Sequence, residues 1–477
     1  MMGINARLAR QWSAVGTRFL PFADAATAEL PMRRLLRLSL FQVTVGMAVV
    51  LLIGTLNRVM IVELGVPAWL VAVMVSLPLV FAPFRALVGF RSDTHRSLLG
   101  WRRVPYIWMG TLLQFGGLAI MPFALLVLSG DTHGPIVIGQ IGAALAFLLV
   151  GAGLHTTQTV GLALACDLAP VEKQPRVVAL LCMMLLIGMV ASAVLFGALL
   201  SPFSEVRLIQ VIQGAAVVTM VLNLAALWKQ EARDPASTAR DRALPGFRGS
   251  WHAFNATGQA TRRLVALGLG TVGFSMQDVL LEPYGGQVLH LPVAVTTSMT
   301  ALLAVGGIVG FTVAARALGR GADPYRLSGF GVLAGQAAFA AVIFAAPLDS
   351  PLLFAVGTAL IGLGAGIFAH CTLTAAMAMA PKGQIGLALG VWGAVQASAA
   401  GLAVAAGGII RDSVAALAQR GLLGAALDNA ATGYSVVYHL EIALLFAALI
   451  AIGPLVRPAH RTAAAPALRN QPLTMPR

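Results

Sequence analysis

The sequence predicts an all-α polytopic membrane protein, with twelve transmembrane helices arranged as two six-helix halves. Three observations support this fold class. Asp, Glu, Lys and Arg make up only 10% of the 477 residues, whereas soluble globular proteins carry about 25%. Apolar runs of about 18 residues or more recur along the chain without polar–apolar alternation, which argues against a barrel. One hydrophilic stretch, 229–263, lies midway between the sixth and seventh runs.

Twelve runs have the length of a spanning helix, because about 20 apolar residues cross a hydrocarbon core of about 30 Å. The first follows a basic segment of about 35 residues, so it is predicted to be an uncleaved signal anchor. In chain order, the predicted spans are 36–57, 68–90, 105–129, 136–164, 177–200, 207–228, 264–283, 294–315, 327–347, 351–380, 385–410 and 434–456.

The basic residues predict the orientation of these spans. The net charge is +14, with 32 Lys and Arg residues. If both termini are cytoplasmic, only Arg58, Arg207, Arg411 and Arg420 fall on the far side of the membrane. The remaining basic residues lie on the cytoplasmic side, as the positive-inside rule requires. Topology therefore accounts for the charge, and no nucleic-acid partner is needed; attraction to anionic membrane lipids is a secondary consequence.

Outside the spans, the chain divides into two terminal segments and one linker. The first segment places apolar residues on one helical stripe, which is typical of an interfacial helix; a loosely ordered basic tail is the alternative. The predicted divisions are a cytoplasmic basic segment at 1–34, a first half at 35–228, a cytoplasmic linker at 229–263, a second half at 264–456 and a cytoplasmic tail at 457–477.

The two halves share weak sequence repeats. The fourth span contains "HTTQT" at 155–159, and the tenth contains "HCTLT" at 370–374. Pro67 and Pro292 also fall at matching exits of the first and seventh spans. These matches predict parallel repeats, which many transporters share.

The loop after the second span, "GFRSDTHRSLLGWRRVP" at 89–105, resembles the loop signature of the major facilitator superfamily. Gly89, Asp93, Arg102 and Arg103 match it, whereas Thr94 replaces the usual Arg. In that superfamily the loop ties helix ends together by ion pairs and helix-dipole contacts. The second half carries only a degraded version, "RALGRGADPYR" at 316–326. The resemblance implies the superfamily fold and puts a standard alternating-access cycle in doubt.

Two acids, Asp278 and Glu282, lie within or at the end of the seventh span. A lone acid deep in lipid costs about 2.5–3.5 kcal/mol on insertion scales, so it normally faces protein or water. Arg58, at the matching depth of the first span, is the predicted partner of Glu282 or Asp278 across the two halves. In the alternative, Glu282 lies in interfacial water and Asp278 caps local backbone.

Two histidines, His155 and His370, are the candidate ligands of a chlorin magnesium. An intramembrane histidine can ligate a metal, relay protons or hydrogen-bond another helix, and an interhelical hydrogen bond is the alternative here. The three cysteines form no CxxC pair, so no protein-bound metal centre is predicted. No hydrolase, P-loop, zincin or dinucleotide motif is present, so an enzyme is not expected.

Four blocks resemble the PucC/LhaA family of purple phototrophic bacteria: "GTLNRVMIVELGVPAWLV" (54–71), "APFRALVGFRSDTHRSLLGWRRVPYIW" (82–108), "LACDLAPVEKQPRVVALLCMM" (164–184) and "MQDVLLEPYGGQVL" (276–289). The resemblance implies an assembly factor for light-harvesting antennae, with light-harvesting 1 favoured over light-harvesting 2. It also implies bacteriochlorophyll as the bound pigment, and antenna polypeptides and pigment-synthesis enzymes as partners. The expected location is the inner membrane or the intracytoplasmic photosynthetic membrane.

Two alternatives to pigment handling stay open. One is a proton-coupled transporter of a tetrapyrrole or another small solute, in which Asp278 and Glu282 would be the protonation sites. The other is a scaffold that binds antenna helices without pigment.

Overall fold

The computed structural model describes residues 25–28, 30–56, 60, 68–97, 99–128, 135–200, 204–235, 238, 246–256, 259–291, 293–380 and 384–456. Within these residues every regular element is helical. In the first half, the helices are α1 Met32–Leu38, α2 Leu40–Val49, α3 Ala68–Phe81, α4 Arg85–Asp93, α5 Val104–Leu128, α6 Ile136–Leu168, α7 Gln174–Leu199 and α8 Glu205–Leu227.

A short helix in the linker precedes the second half. The helices from the linker onward are α9 Phe247–Asn255, α10 Ala260–Ser275, α11 Leu281–Gln287, α12 Val293–Leu318, α13 Pro324–Ala345, α14 Pro351–Ala378, α15 Ile385–Gln419 and α16 Thr432–Ile452. A π-helical turn, Val50–Leu56, continues α2, and a 3₁₀ turn, Ala82–Phe84, joins α3 to α4.

Eleven stretches of the described residues are long and apolar enough to cross a membrane, so the prediction of a polytopic helical membrane protein is confirmed. The predicted seventh span, 264–283, is the exception. It is interrupted by a 3₁₀ turn, Met276–Val279, that separates α10 from α11. The interruption has a physical cause, because the backbone N–H of Gln277 donates its hydrogen bond to the Glu441 side chain of α16.

Each half has its own apolar core. One buried cluster runs from Val45 to Ala216 and another from Ala266 to Leu455. Neighbouring helices approach closely at glycines, as small residues allow within a membrane. Where α5 meets α6, for example, a side chain on Gly153 would overlap the Gly110 carbonyl and the Gln114 amide.

Polar groups within the first half pair with one another across helices. The Thr44 hydroxyl donates to Asn223 Oδ1 at 2.9 Å, and Asn223 Nδ2 donates to the Thr111 hydroxyl at 3.0 Å. Gln114 Nε2 donates to the Thr157 hydroxyl at 3.0 Å. These bonds link α2, α8, α5 and α6, because lipid offers no alternative partner for such groups.

Candidate functional site

The two halves meet tightly at one end of the bundle, where α4 packs along α15. We call this end the linker face; it carries loop residues 94–97 and 99–103 and the start of the linker, 229–235. A Cβ added to Gly89 would overlap the Gly386 carbonyl, and one added to Gly390 would overlap the Arg85 carbonyl. Only glycine therefore allows this backbone-to-backbone approach between the halves.

Asp93 joins the halves across this contact. Its carboxylate accepts hydrogen bonds from the backbone N–H groups of Gly386 at 3.0 Å and Leu387 at 2.8 Å. Both N–H groups belong to the first turn of α15, where orphan donors and the helix dipole favour a negative charge. The same carboxylate forms a fully buried ion pair with Arg103, 2.6 Å from Nη2 to Oδ1.

Arg103 connects this pair to a second acid. Its Nε lies 2.9 Å from Asp167 Oδ2, and Arg102 Nη2 lies 2.6 Å from the same oxygen. Burial alone would lower the pKa of Arg103, but the charges of Asp93 and Asp167 outweigh burial and raise it. The four residues matched to the loop signature, Gly89 and Asp93 with Arg102 and Arg103, thus lie within one contact region.

Glu231 of the linker caps the helix that follows the loop. Its carboxylate accepts from the backbone N–H groups of Arg102, Arg103 and Val104, at 2.8 to 3.0 Å. Sequence reasoning missed both Glu231 and Asp167. The sequence signal for Glu231 was weak, because a single acid in a hydrophilic linker does not indicate a contact with residues about 130 positions earlier in the chain.

Arg85 lies between the halves at the start of α4, about two turns before Asp93. It is only 2% exposed. Its Nε donates to the Thr159 hydroxyl at 2.9 Å, and its Nη1 lies 3.4 Å from the Gly393 carbonyl oxygen. In the part of the chain that the structure describes, the guanidinium has no carboxylate partner. Sequence reasoning missed this residue: Arg85 lies within the predicted second span, 68–90, and nothing in that run indicates a contact with the second half.

The histidines of the two repeats occupy buried positions. His155, on α6, is 7% exposed, and its Nδ1 has no hydrogen-bond partner among the described residues. His370, on α14, is fully buried against the Phe311 ring, 5.6 Å between ring centroids. Neither ring nitrogen of His370 finds a partner in the described residues. Both imidazoles therefore have at least one ring nitrogen that makes no hydrogen bond within the described residues.

The predicted pairing of Arg58 with the acids cannot be placed, because Arg58 lies outside the described residues, as does the side chain of Glu282. Asp278 lies in the 3₁₀ turn of the seventh span, is exposed, and accepts a hydrogen bond from Gln277 Nε2. The inter-half pairing therefore stays a prediction.

Two further polar residues of α16 were missed from the sequence. Glu441 is fully buried, and its Oε1 accepts from the Gln277 backbone N–H at 2.8 Å. His439 is exposed, with its Nδ1 2.7 Å from the Ser435 carbonyl oxygen. The available signal was the three-residue spacing of Thr432, Ser435, Tyr438 and Glu441 in the first half of this helix.

A family model described as "PUCC protein" matches residues 55–460. Protein PucC of Rhodovulum sulfidophilum is 61% identical over 84% of this chain and 90% of its own length. Protein PucC of Cereibacter sphaeroides is 54% identical over 95% of this chain and 98% of its own length. A more distant relative, named bacteriochlorophyll synthase 44.5 kDa chain, of Rhodobacter capsulatus, is 30% identical over 88% of this chain and 95% of its own length.

Solved structures of transporters share the fold. A bacterial homologue of the iron transporter ferroportin, in an outward-facing state, superposes with a TM-score of 0.68 at 17% identity, covering 88% of this chain and 98% of its own. The major facilitator superfamily transporter FucP, in the outward conformation, gives a TM-score of 0.60 at 14% identity, covering 91% of this chain and 99% of its own. At these identities the likeness establishes a major facilitator-like architecture and nothing about cargo.

Proposed function

The chain belongs to the PUCC protein family, and from that premise we propose that it is an assembly factor for the bacterial light-harvesting antenna. In this role it binds bacteriochlorophyll and hands it to newly inserted antenna polypeptides, with light-harvesting 1 favoured over light-harvesting 2. The observation that carries the proposal is the family match across residues 55–460. The resemblance of the sequence to antenna assembly factors supplies the specific role.

We further propose a location and an orientation. The protein is a multi-pass membrane protein with eleven candidate spans in its described residues. The basic residues support a cytoplasmic position for both termini and for the linker face. The proposed partners support the inner membrane or its photosynthetic extension as the location.

The buried histidines fit the chemistry of a pigment ligand. Bacteriochlorophyll would supply a magnesium ion, and a neutral imidazole nitrogen of His155 or His370 would hold it. A buried polar group without a partner costs about 1–3 kcal/mol, and His370 leaves both ring nitrogens without one in the described residues. His155 leaves its Nδ1 without a partner in the same described part of the chain. Because the Phe311 ring packs against His370, it must move aside before a pigment ring can reach that imidazole.

Absorption of purified protein tests this proposal. The wild-type protein, isolated from a bacteriochlorophyll-producing host and washed extensively, is expected to carry pigment in a fixed ratio. His370→Leu and His155→Leu should each lower that ratio. His439→Leu is the matched control, since this histidine faces away from the core. Colourless wild-type protein that still retains antenna polypeptides would overturn pigment handling and support the scaffold alternative. Pigment lost only from the His439 variant would reject the two buried ligands.

The antenna preference has a separate test. A pigmented host lacking the protein should lose the light-harvesting 1 absorption band while keeping the light-harvesting 2 band. The opposite loss would assign the chain to the light-harvesting 2 branch. Loss of neither band would overturn the assembly role.

Proton-coupled transport of a tetrapyrrole or another small solute is the second candidate. The observation in its favour is an acid, Asp278, at the interruption of the seventh span, because discontinuous helices commonly form transporter sites. Counterflow of the solute in vesicles that is abolished by Asp278→Asn would support transport. Absence of counterflow by wild-type protein that carries pigment would reject it.

A further inference from the structure

The interruption of the seventh span is closed by a carboxylate from another helix. Glu441 lies near the middle of α16 and is fully buried. Its Oε1 accepts from the Gln277 N–H at 2.8 Å, and the Met276 amide faces the same carboxylate. Glu441 therefore provides the acceptor for backbone donors at the point where α10 gives way to the 3₁₀ turn.

Hydrogen-bond donors and acceptors do not balance around this carboxylate. Glu441 Oε2, Gln277 Oε1 and the Tyr438 hydroxyl are all buried, and none has a partner among the described residues. An ionised carboxylate and an amide oxygen only accept hydrogen bonds, whereas a tyrosine hydroxyl supplies one donor. One donor cannot satisfy both acceptors, and a proton on Glu441 would supply the missing one.

Within the described residues, the helices packed around Glu441 bring no cation into a salt bridge with it. Glu441 forms no salt bridge with any described residue. The titratable groups that face it are Asp278 from the 3₁₀ turn and Tyr438 from its own helix, with Tyr284 and Tyr434 behind Tyr438.

Arginines on the packed helices contact other groups. Arg411 of α15 bonds Asp412, Gln287 and Tyr434 at the end of the bundle opposite the linker face. Arg262 of α10 bonds the Ala451 carbonyl towards the linker face, and Arg263 of the same helix lies over the Tyr325 ring. From α13, the neutral Gln336 amide bonds the Ile442 carbonyl of α16. An ionised Glu441 would therefore be a buried charge without a counter-ion in the part of the chain that the structure describes, and such a charge costs several kcal/mol.

We propose that Glu441 is a proton-binding site that closes the break in the seventh span. In the conformation described here the carboxyl carries the proton, which neutralises it inside the bundle. When the break opens to water, the O–H bond of the carboxyl breaks, the proton passes to water and the carboxylate stays hydrated. A divalent cation is a poorer occupant, because no group of three His, Cys, Asp or Glu side chains converges within the described residues. This site is independent of pigment handling, and it differs from the Asp278 and Glu282 positions of the transport alternative.

Infrared spectroscopy detects the proton directly. Purified protein at about pH 7 should show the carbonyl band of a protonated carboxylic acid that is shielded from water. The band should shift when glutamate, but not aspartate, carries an isotope-labelled carboxyl carbon. It should vanish in Glu441→Gln and persist in Asp278→Asn. A wild-type spectrum without the band, or a band that shifts with labelled aspartate, would overturn the proposal whether or not the protein binds pigment.

Thermal unfolding as a function of pH provides the second measurement. A proton held in the folded state and released by the unfolded chain makes stability fall as pH rises above about 4.3, the usual value for glutamate. Glu441→Gln keeps the shape and the hydrogen-bond donor of the protonated carboxyl. The stability of this variant should therefore not show the fall with rising pH that is due to Glu441, whereas Asp278→Asn should still show it. An unchanged pH profile in Glu441→Gln would refute proton binding. A sodium-dependent gain in stability that requires Glu441 would assign a metal cation in its place.

Discussion

Replacing Asp93 by Asn should loosen the contact between the halves by about 3 kcal/mol. The change removes one partner of a fully buried ion pair, which usually costs about 3–5 kcal/mol. The cost is reduced because Arg103 keeps Asp167 at 2.9 Å. The Asn carbonyl can still accept from one α15 N–H group, but its amide presents a donor to the other, so one charge-assisted hydrogen bond of about 1.5–3 kcal/mol is lost.

A loss of about 3 kcal/mol corresponds to a more than hundredfold rise in the open population. Hydrogen exchange of the Gly386 and Leu387 amides measures that population, since both amides donate to Asp93 only while the contact is closed. Asp167→Asn is the matched control. Asp167 is about one quarter exposed and makes no contact with α15 among the hydrogen bonds of the described residues. We expect it to cost about 1 kcal/mol. Equal acceleration by the two variants would refute the assignment of Asp93 as the connection between the halves.

Three other predictions concern the same region. Gly390→Ala should lower the unfolding temperature, because its Cβ overlaps the Arg85 carbonyl and overpacking costs about 1–3 kcal/mol; Gly408→Ala, with open space around its Cβ, should not. Burial lowers the pKa of His95, partly offset by Glu231, so wild-type stability should fall as pH drops below about 6.5, and His95→Gln should show a shallower decline. Arg85→Met should keep or raise the unfolding temperature, because the change removes a buried charge that has no carboxylate partner among the described residues; a large loss of stability would contradict this.

The helical architecture was predictable because it depends on local properties of the chain. In lipid, a spanning segment of this kind must form its backbone hydrogen bonds within a helix. The length of each apolar run therefore located the spans. The loop matched by Gly89, Asp93, Arg102 and Arg103 was also readable, since its residues lie close together in sequence and resemble a known signature.

The interruption of the seventh span was not predictable from its own residues. The run 264–283 is apolar enough to read as one helix, and the residue that closes its break lies 164 positions away. Arg85 is a similar case, because its contact with Gly393 joins residues 308 positions apart. Only the packed structure shows that these polar groups lie inside the bundle, where unpaired donors and acceptors are costly.

The distribution of these polar groups constrains how the protein can move. On the linker face, glycine contacts and the Asp93 carboxylate hold α4 against α15, so separation of the halves there exposes the first turn of α15 and leaves its N–H groups without their acceptor. The interruption, in contrast, lies within the second half, between α10, α15 and α16, and its closure depends on one carboxylate with no counter-ion among the described residues. A proton can change the charge of Glu441 without breaking any contact between the halves. We therefore expect protonation to govern the seventh span locally, whereas movement of the halves is governed by the Asp93 contact, and variants at the two sites should show additive effects on stability.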